Sequence, residues 1–386
     1  MNSLPGFLRH ALRHPYALMP GSPHGIINSA RDWVREHQGA EPAAACWEVD
    51  APAPRSLAAP HGELAAGLHV QRHFNIPATA LFQIKGARVL GSGGVVISPD
   101  NRVFAEFTYA DTPGGGGSHS VFRRRRFPRP QPLRGTYATL CYPSSSAYFH
   151  WVIESLPRIR LLRDRLDSLA GIFVPEAMEP AMRESLSIFG IDEKRCIPMC
   201  MNSHFAPDCL LVPAYCAGLD VPVWVPQFLR ETVLGKSSSP HARRRIYISR
   251  SDAGKRRVTN EAAIASLLKS RGFEIVRLRE LGFRAQAELL ASAHTVVGPH
   301  GAGLANLAFC RPGTQVLELL PSPRVAPHLF YSLADAAGAQ YWFLAGQPAQ
   351  ASGLRGDDDV DFAVDADKLA ARLDEMAVNE VAGVPA

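Results

Sequence analysis

From residue 245 onward the apolar and polar positions alternate between two periods. Short apolar runs at 245–250, 273–276, 295–297, 316–320 and 341–344 read as buried strands. Between them, residues 261–270, 285–293 and 366–377 carry the three- and four-residue spacing of amphipathic helices. Gly272 and Pro312-Gly313 punctuate the pattern. Strands alternating with helices predict a parallel sheet covered on both faces, with ligands at the carboxyl ends of its strands.

Upstream the pattern is less regular. Residues 1 to about 65 are rich in Ala, Pro and His and weakly patterned. Runs at 87–90, 94–97 and 103–107, with the turn Ser98-Pro99-Asp100-Asn101, predict a β-hairpin that returns. Four consecutive glycines within 111–118 predict a flexible loop, which the prolines of 127–132 extend. Strands are expected at 135–142, 171–174 and 208–213, and helices at 177–189 and within 221–234. Residues 235–240 read as a linker by composition. They set the expected domains: 1–236, with the hairpin and the irregular entry, and 241–386, with the βα alternation.

Two stretches carry chemistry. The first is 148–162, which reads as a helix capped by Ser144-Ser145-Ser146 and kinked or split at Pro157. By helical spacing His150, Glu154, Pro157 and Arg158 share one face, while Trp151, Ile153, Leu156 and Ile159 can face a core. That face is either functional or an ordinary His–Glu and Glu–Arg ion-pair stripe.

The second stretch is 294–321. A strand leads into Gly298-Pro299-His300-Gly301-Ala302-Gly303, a helix starts at Leu304, and a second strand carries Glu318. Small residues let the backbone approach a phosphate, and a helix N-terminus offers free N–H groups and a positive dipole end. Gly301-Ala302-Gly303-Leu304-Ala305-Asn306 meets the dinucleotide pattern G-x-G-x-x-G at two glycines and places Asn at the third. Glu318 stands near the position of that pattern's ribose-binding acid. Arg250, His300 and Glu318 all fall at strand carboxyl ends and can converge.

Composition narrows the classes. A chain of 386 residues, 46% hydrophobic, has room for two ordinary domains. No apolar run is long enough to span a membrane, and the first 20 residues lack a signal-peptide core, so export is not expected. Seven irregularly spaced cysteines suit reduced thiols in a cytoplasm. Cys196, Cys200, His204 and Cys209 do not have the spacing of the usual zinc fingers or knuckles, so no metal is expected there. The net charge of +5 is mild, but basic residues cluster at 123–126, 243–245 and 255–257. Such clusters suit nucleotide or lipid phosphates or an anionic membrane face, or simply form solvated surface; nucleic acid is not among the expected partners.

Three blocks in this order resemble glycosyltransferase family 61, a capsular-polysaccharide-type group formerly described as a domain of unknown function. They are Phe149-His150-Trp151…Glu154…Leu156-Pro157-Arg158; Tyr247-Ile248-Ser249-Arg250 with Arg256-Arg257-Val258-Thr259-Asn260-Glu261; and Gly298 to Asn306 with Phe309, Pro312-Gly313 and Glu318. The blocks lie within residues 135–325. The resemblance implies an α/β fold of GT-B type, with two Rossmann-like domains facing a cleft and the C-terminal one holding a nucleotide sugar. It implies an inverting transferase acting on a glycan or lipid-linked glycan hydroxyl; the thiols and basic clusters add the expectation that it is cytoplasmic or peripheral at the inner membrane face. A donor of that kind develops negative charge on its leaving phosphates. Without a divalent ion or other cofactor, cationic side chains and a helix N-terminus must receive that charge. Arg250, Arg256, His300, Gly301, Ala302, Gly303 and Asn306 suit the donor, and Glu318 its ribose. Glu154, with His150, suits the acceptor base, and Trp151 and Arg158 the acceptor side of the cleft. Two other readings remain: an NAD(P)-dependent oxidoreductase, and a non-catalytic carbohydrate- or nucleotide-binding protein.

Overall fold

The computed structural model describes residues 21–37, 43–63, 69–108, 120–124, 126–218, 220–235, 243–323, 325, 328–349 and 359–382. The chain forms two compact units, residues 1–53 with 77–216 and residues 54–76 with 217–386.

The first unit is built on a ten-stranded mixed sheet. β1 (Thr79–Lys85), β2 (Gln131–Thr139), β3 (Gly171–Pro175) and β4 (His204–Pro213) form its middle. β4 pairs parallel with β2 and antiparallel with β1, β2 pairs parallel with β3, and β3 pairs parallel with Cys196–Met199. One side is therefore parallel α/β, and the other is antiparallel except for its edge pair, Ile26–Ile27 parallel to Val103–Phe104, where two Rossmann-like halves were expected. The expected hairpin is present as Arg88–Leu90 against Val95–Ile97, with Val103–Phe104 returning beside Ile97. Residues 105–107 turn into a 3-10 helix instead of continuing the strand. β2 starts earlier than expected and takes Pro132 opposite Ala206. Its other neighbour, β3, pairs only from Tyr137 to Thr139, so the missing proline N–H breaks no ladder bond there. The loop expected at 111–118 lies outside the described residues. Trp33, Phe82, Phe104, Phe107 and Phe173 are central to this core.

The second unit begins before the expected linker. α1 (Trp224–Leu234) buries Val225, Leu229 and Val233, and Arg230 Nη1 donates to Cys310 O at 2.7 Å. Val221 N–H donates to Ser332 Oγ at 2.9 Å. These contacts place the division at 216/217 rather than at 235–240, where 236–240 lie outside the described residues.

Five strands come after α1: β5 (Arg244–Ile248), β6 (Phe273–Val276), β7 (Ala293–Pro299), β8 (Gln315–Leu320) and β9 (Gln340–Ala345). All four pairings are parallel, in the order β6-β5-β7-β8-β9. This is the doubly wound order 2-1-3-4-5, whose direction of winding reverses between its first and third strands. The crossovers carry α2 (Glu261–Ser270), α3 (Phe283–Ala291) and α4 (Leu329–Ala337), and α5 (Ala366–Ala382) comes after the sheet. Asn260 precedes α2 without capping it. Its amide instead donates to Val364 O at 2.7 Å and accepts from Val364 N–H at 3.0 Å.

β9 is an edge strand, and residues 54–62 run along it as a strap. His61 N–H donates to Tyr341 O at 3.0 Å, and Phe343 N–H donates to His61 O at 2.9 Å. Arg55 Nη2 meets Asp335 Oδ2 at 2.8 Å, Ala58 N–H reaches Asp335 Oδ1 at 3.0 Å, and Tyr331 donates its hydroxyl to Ala58 O. The strap satisfies backbone groups that an open edge would leave to any passing strand. Gly62 lets it lie flat: with φ of +155°, a Cβ there would stand 2.5 Å from the Phe343 ring. Gly62→Ala should therefore lift the strap and cost about 1–3 kcal/mol, the usual cost of overpacking. A urea midpoint equal to that of the native chain would show that the strap does not lie there.

Candidate functional site

The reversal between β5 and β7 opens a crevice at the carboxyl ends of the two strands, the place where open α/β sheets hold ligands. Arg250 lies two residues past β5, and His300–Gly303 come directly after β7. Gly301 is fixed by space: a Cβ there would stand 1.9 Å from Arg250 Nη1, so the guanidinium lies directly on the turn. Gly303 is less constrained, because its Cβ would make ordinary contacts at 3.4 Å with Ile248 and Leu278. Ala302 and Gly303 remain half-exposed. Ala302–Phe309 then winds as a 3-10 helix rather than the α-helix start expected, with Gly301 as its N-cap.

Glu261, first residue of α2, holds the crevice from behind. Its Oε1 accepts from Tyr247 O–H at 2.9 Å and from Arg250 N–H at 3.3 Å. The loop from 251 to 257 brings Arg256 alongside Arg250. Arg256 has φ of +59°, a left-handed conformation that costs a residue with a side chain roughly 1–2 kcal/mol. Its neighbours clamp it: Lys255 Nζ meets Asp359 at 2.6 Å, and Arg257 Nη2 meets Asp361 at 2.7 Å. Burial, and next the Arg256 charge, push the Arg250 guanidinium down from its ordinary pKa. The Nε atoms of Arg250 and Arg256 are both buried without a hydrogen-bond partner. Two adjacent guanidinium groups with unsatisfied buried nitrogens at a sheet's ligand end form a seat for an anion.

Beside this seat stands a histidine in a fixed pose. Glu318 is buried; His300 Nδ1 lies 2.5 Å from its Oε1, and Tyr341 O–H donates to its Oε2. The His300 ring packs edge-on against Phe330, with centroids 5.1 Å apart. Both Glu318 oxygens are thus committed inside the unit, which corrects the expectation that it binds a ribose. Its contribution is to orient His300. Asn306 is corrected likewise: it is fully buried, and its amide donates to Gln286 Oε1 at 2.8 Å and Gly303 O at 3.2 Å.

In the first unit, residues 148–162 change winding three times. Tyr148–His150 is α, Trp151–Ser155 is π, Leu156–Arg158 is 3-10 and Ile159–Leu162 is α again. Pro157 has no N–H to return to Ile153 O, and Leu156 N–H reaches back five residues to Trp151 O. The widened π turn, a feature common at functional sites, carries Glu154. Glu154 is buried; His150 Nδ1 lies 2.7 Å from its Oε2, and Tyr215 O–H donates to its Oε1 at 2.7 Å. Tyr215 in turn stacks on Tyr142 at 4.6 Å. His150, with its side chain 30% exposed, is the member that a substrate can reach.

Trp151 and Arg158, expected on the acceptor side, are enclosed within the first unit. Trp151 is fully buried and donates Nε1–H to Ser185 Oγ at 2.9 Å. Arg158 is buried, with its guanidinium donating to Pro213 O at 2.8 and 3.0 Å and to Cys141 O at 3.3 Å. Both brace the unit instead of facing an acceptor. Tyr215 and Tyr341, which no sequence motif singles out, complete the two His–Glu pairs. No spacing rule signals either, since they stand 61 and 23 residues from their carboxylates.

The basic clusters are largely spent on internal partners. Arg244 pairs with Glu274, Arg245 Nη1 donates to Arg271 O at 3.2 Å, and Arg124 Nη2 donates to Met201 O at 2.8 Å. All seven cysteines are free. Among the described residues no group of three or more His, Cys, Asp or Glu could hold a metal ion, and no helix is long and apolar enough to cross a membrane.

The second unit is thus a Rossmann-like α/β sheet with two arginines and a fixed histidine at its switch point. Residues 148–317 match the family described as Glycosyltransferase 61, and this match supports a glycosyltransferase, with a glycosyl donor and an acceptor as substrates in general. No curated protein matches the chain. The matched stretch includes His150, Glu154, Arg250, Arg256 and His300 and stops one residue before Glu318.

The close approach of Arg250 to the turn gives a direct check. Gly301→Ala should leave the fold intact, because the clashing atom is the free end of a side chain. The displaced guanidinium should lower affinity for a nucleoside diphosphate at least tenfold, measured by titration calorimetry. Unchanged affinity in a folded variant would show that the anion seat is not formed by these two residues.

Proposed function

We propose that the protein is an inverting, metal-independent transferase. It moves a hexosyl or pentosyl group from a nucleotide sugar to a hydroxyl of a glycan or lipid-linked glycan, in surface or capsular polysaccharide synthesis. The observation that carries this reading is the pair of buried Nε atoms of Arg250 and Arg256 that make no hydrogen bond, with Arg250 lying on the Gly301 turn and Arg256 Nε only 3.8 Å from Asp359 Oδ1. A planar guanidinium offers a two-pronged donor set that matches phosphate oxygens. Two of them, with a helix N-terminus, supply the positive charge that a divalent ion would otherwise bring.

In this mechanism the acceptor hydroxyl gives its proton to His150 Nε2 as its oxygen attacks the anomeric carbon. The bond from that carbon to the phosphate oxygen breaks in the same displacement, so configuration inverts. Arg250, Arg256 and His300 receive the charge that develops on the leaving phosphate. Burial supports this order over the expected one with Glu154 as base: Glu154 is enclosed between His150 and Tyr215, where it can orient the imidazole, which leaves the role of base to His150. The reading takes the base from the first unit and the donor seat from the second. The cytoplasm, or the inner membrane face, is the proposed location. The rival oxidoreductase reading gains nothing from the family, and its third glycine is the buried Asn306.

Arg250→Ala should weaken donor binding by about 1.5–3 kcal/mol, the range for a charge-assisted hydrogen bond, or roughly 10- to 150-fold. His150→Ala should keep donor affinity and lose transfer by on the order of a hundredfold or more. Calorimetry with nucleotide sugars and product assays on both variants give the test. Donor binding with no transfer by the native protein to any glycan would favour a non-catalytic binding protein. Full turnover in folded His150→Ala would remove His150 as base.

A further inference from the structure

The donor-side histidine does not stand alone, and the chain of contacts behind it leads to a residue with no assigned role. Tyr341 lies in β9 and is buried. Its O–H donates to Glu318 Oε2, while Glu318 Oε1 stands 2.5 Å from His300 Nδ1. Its backbone carbonyl accepts from His61 N–H in the strap at 3.0 Å. Its ring sits 5.2 Å from that of Tyr331, whose hydroxyl donates to Ala58 O, also in the strap. Backbone and ring are therefore held independently of the hydroxyl.

The geometry points to Tyr341 as a positioning residue for the donor site, holding the Glu318 carboxylate so that its Oε1 fixes the His300 ring through Nδ1. The inference rests on the reading of His300 as a donor ligand. The chemistry is that of a buried acceptor with two oxygens. With both engaged, the carboxylate is held in one orientation, and its Oε1 fixes the orientation of the His300 ring. Burial, and next the Glu318 carboxylate, push the Tyr341 phenol well above its ordinary pKa, so it remains an O–H donor at working pH. Without the hydroxyl, Oε2 loses the donor that holds it. The carboxylate is then free to turn, and the imidazole it holds leaves its pose.

Tyr341→Phe removes the hydroxyl and keeps the ring. Nitrogen-15 spectra of the histidine rings should show the His300 signals moving from their native positions. Affinity for uridine or guanosine diphosphate, whichever binds the native protein, should fall about tenfold. The same substitution in a His300→Ala background should add no further loss of affinity, whereas a general loosening of β9 would still add one. Glu318→Gln, which cannot accept at both positions, should move the His300 signals in the same way and serves if Tyr341→Phe does not fold. Unchanged His300 signals in either variant overturn the inference. If the signals move but His300→Ala binds the nucleotide as the native protein does, the donor-site reading of His300 fails, and Tyr341 loses its functional role with it.

Discussion

A buried carboxylate is costly to keep ionised in a protein interior, and its cost falls only when every oxygen finds a donor. Each unit of this chain contains one such carboxylate, and each meets the requirement in the same way. Glu154 is held between Tyr215 O–H and His150 Nδ1; Glu318 is held between Tyr341 O–H and His300 Nδ1. In both, the acid is enclosed and the histidine is the partly open member. Much of the surrounding architecture serves these two contacts. The π turn in the first unit sets the spacing of His150 and Glu154. The parallel pairing of β7 with β8 puts Gly298 opposite Glu318 and so His300 beside it.

The arginines face the opposite problem. Arg158 is buried with its donors matched to backbone carbonyls, and so it is structural. Arg250 and Arg256 are crowded together with buried nitrogens unmatched, one of them on a strained backbone. A fold keeps such an arrangement where something else supplies the missing acceptors, which is the usual situation at ligand sites. The difference between a bracing arginine and a binding one therefore lies in how completely its fork is satisfied, and burial alone does not decide it.

That difference also marks how far the sequence was legible. The second sheet was readable almost strand by strand, because a parallel sheet is buried on both faces and its strands are continuous apolar runs. The turn at His300–Gly303 and the arginine after β5 could be placed from that register. The strands at Ala44–Asp50 and Thr79–Lys85 were not legible, since the antiparallel side of a mixed sheet alternates weakly and lies in an Ala- and Pro-rich stretch. The roles of Trp151, Arg158, Asn306 and Glu318 were misread for one reason. Helical and strand spacing tells which face a side chain is on, but the partner that satisfies it comes from distant sequence: Ser185, Pro213, Gln286 and Tyr341. The domain boundary was misplaced because linker composition at 235–240 is a local signal, whereas α1 packs with the second unit.

The strap has a consequence for how the protein is made. Arg55 and Asp335, which meet at 2.8 Å, are 280 residues apart in the chain. At ribosomal speeds of about 5–20 residues per second, the strap leaves the exit tunnel roughly 15–60 seconds before its partner exists. During that interval residues 54–62 can only wait, tethered at both ends to the first unit while the edge they will cover is still being synthesised. The second unit is thus closed last and from its far side, by a segment made long before the sheet it completes.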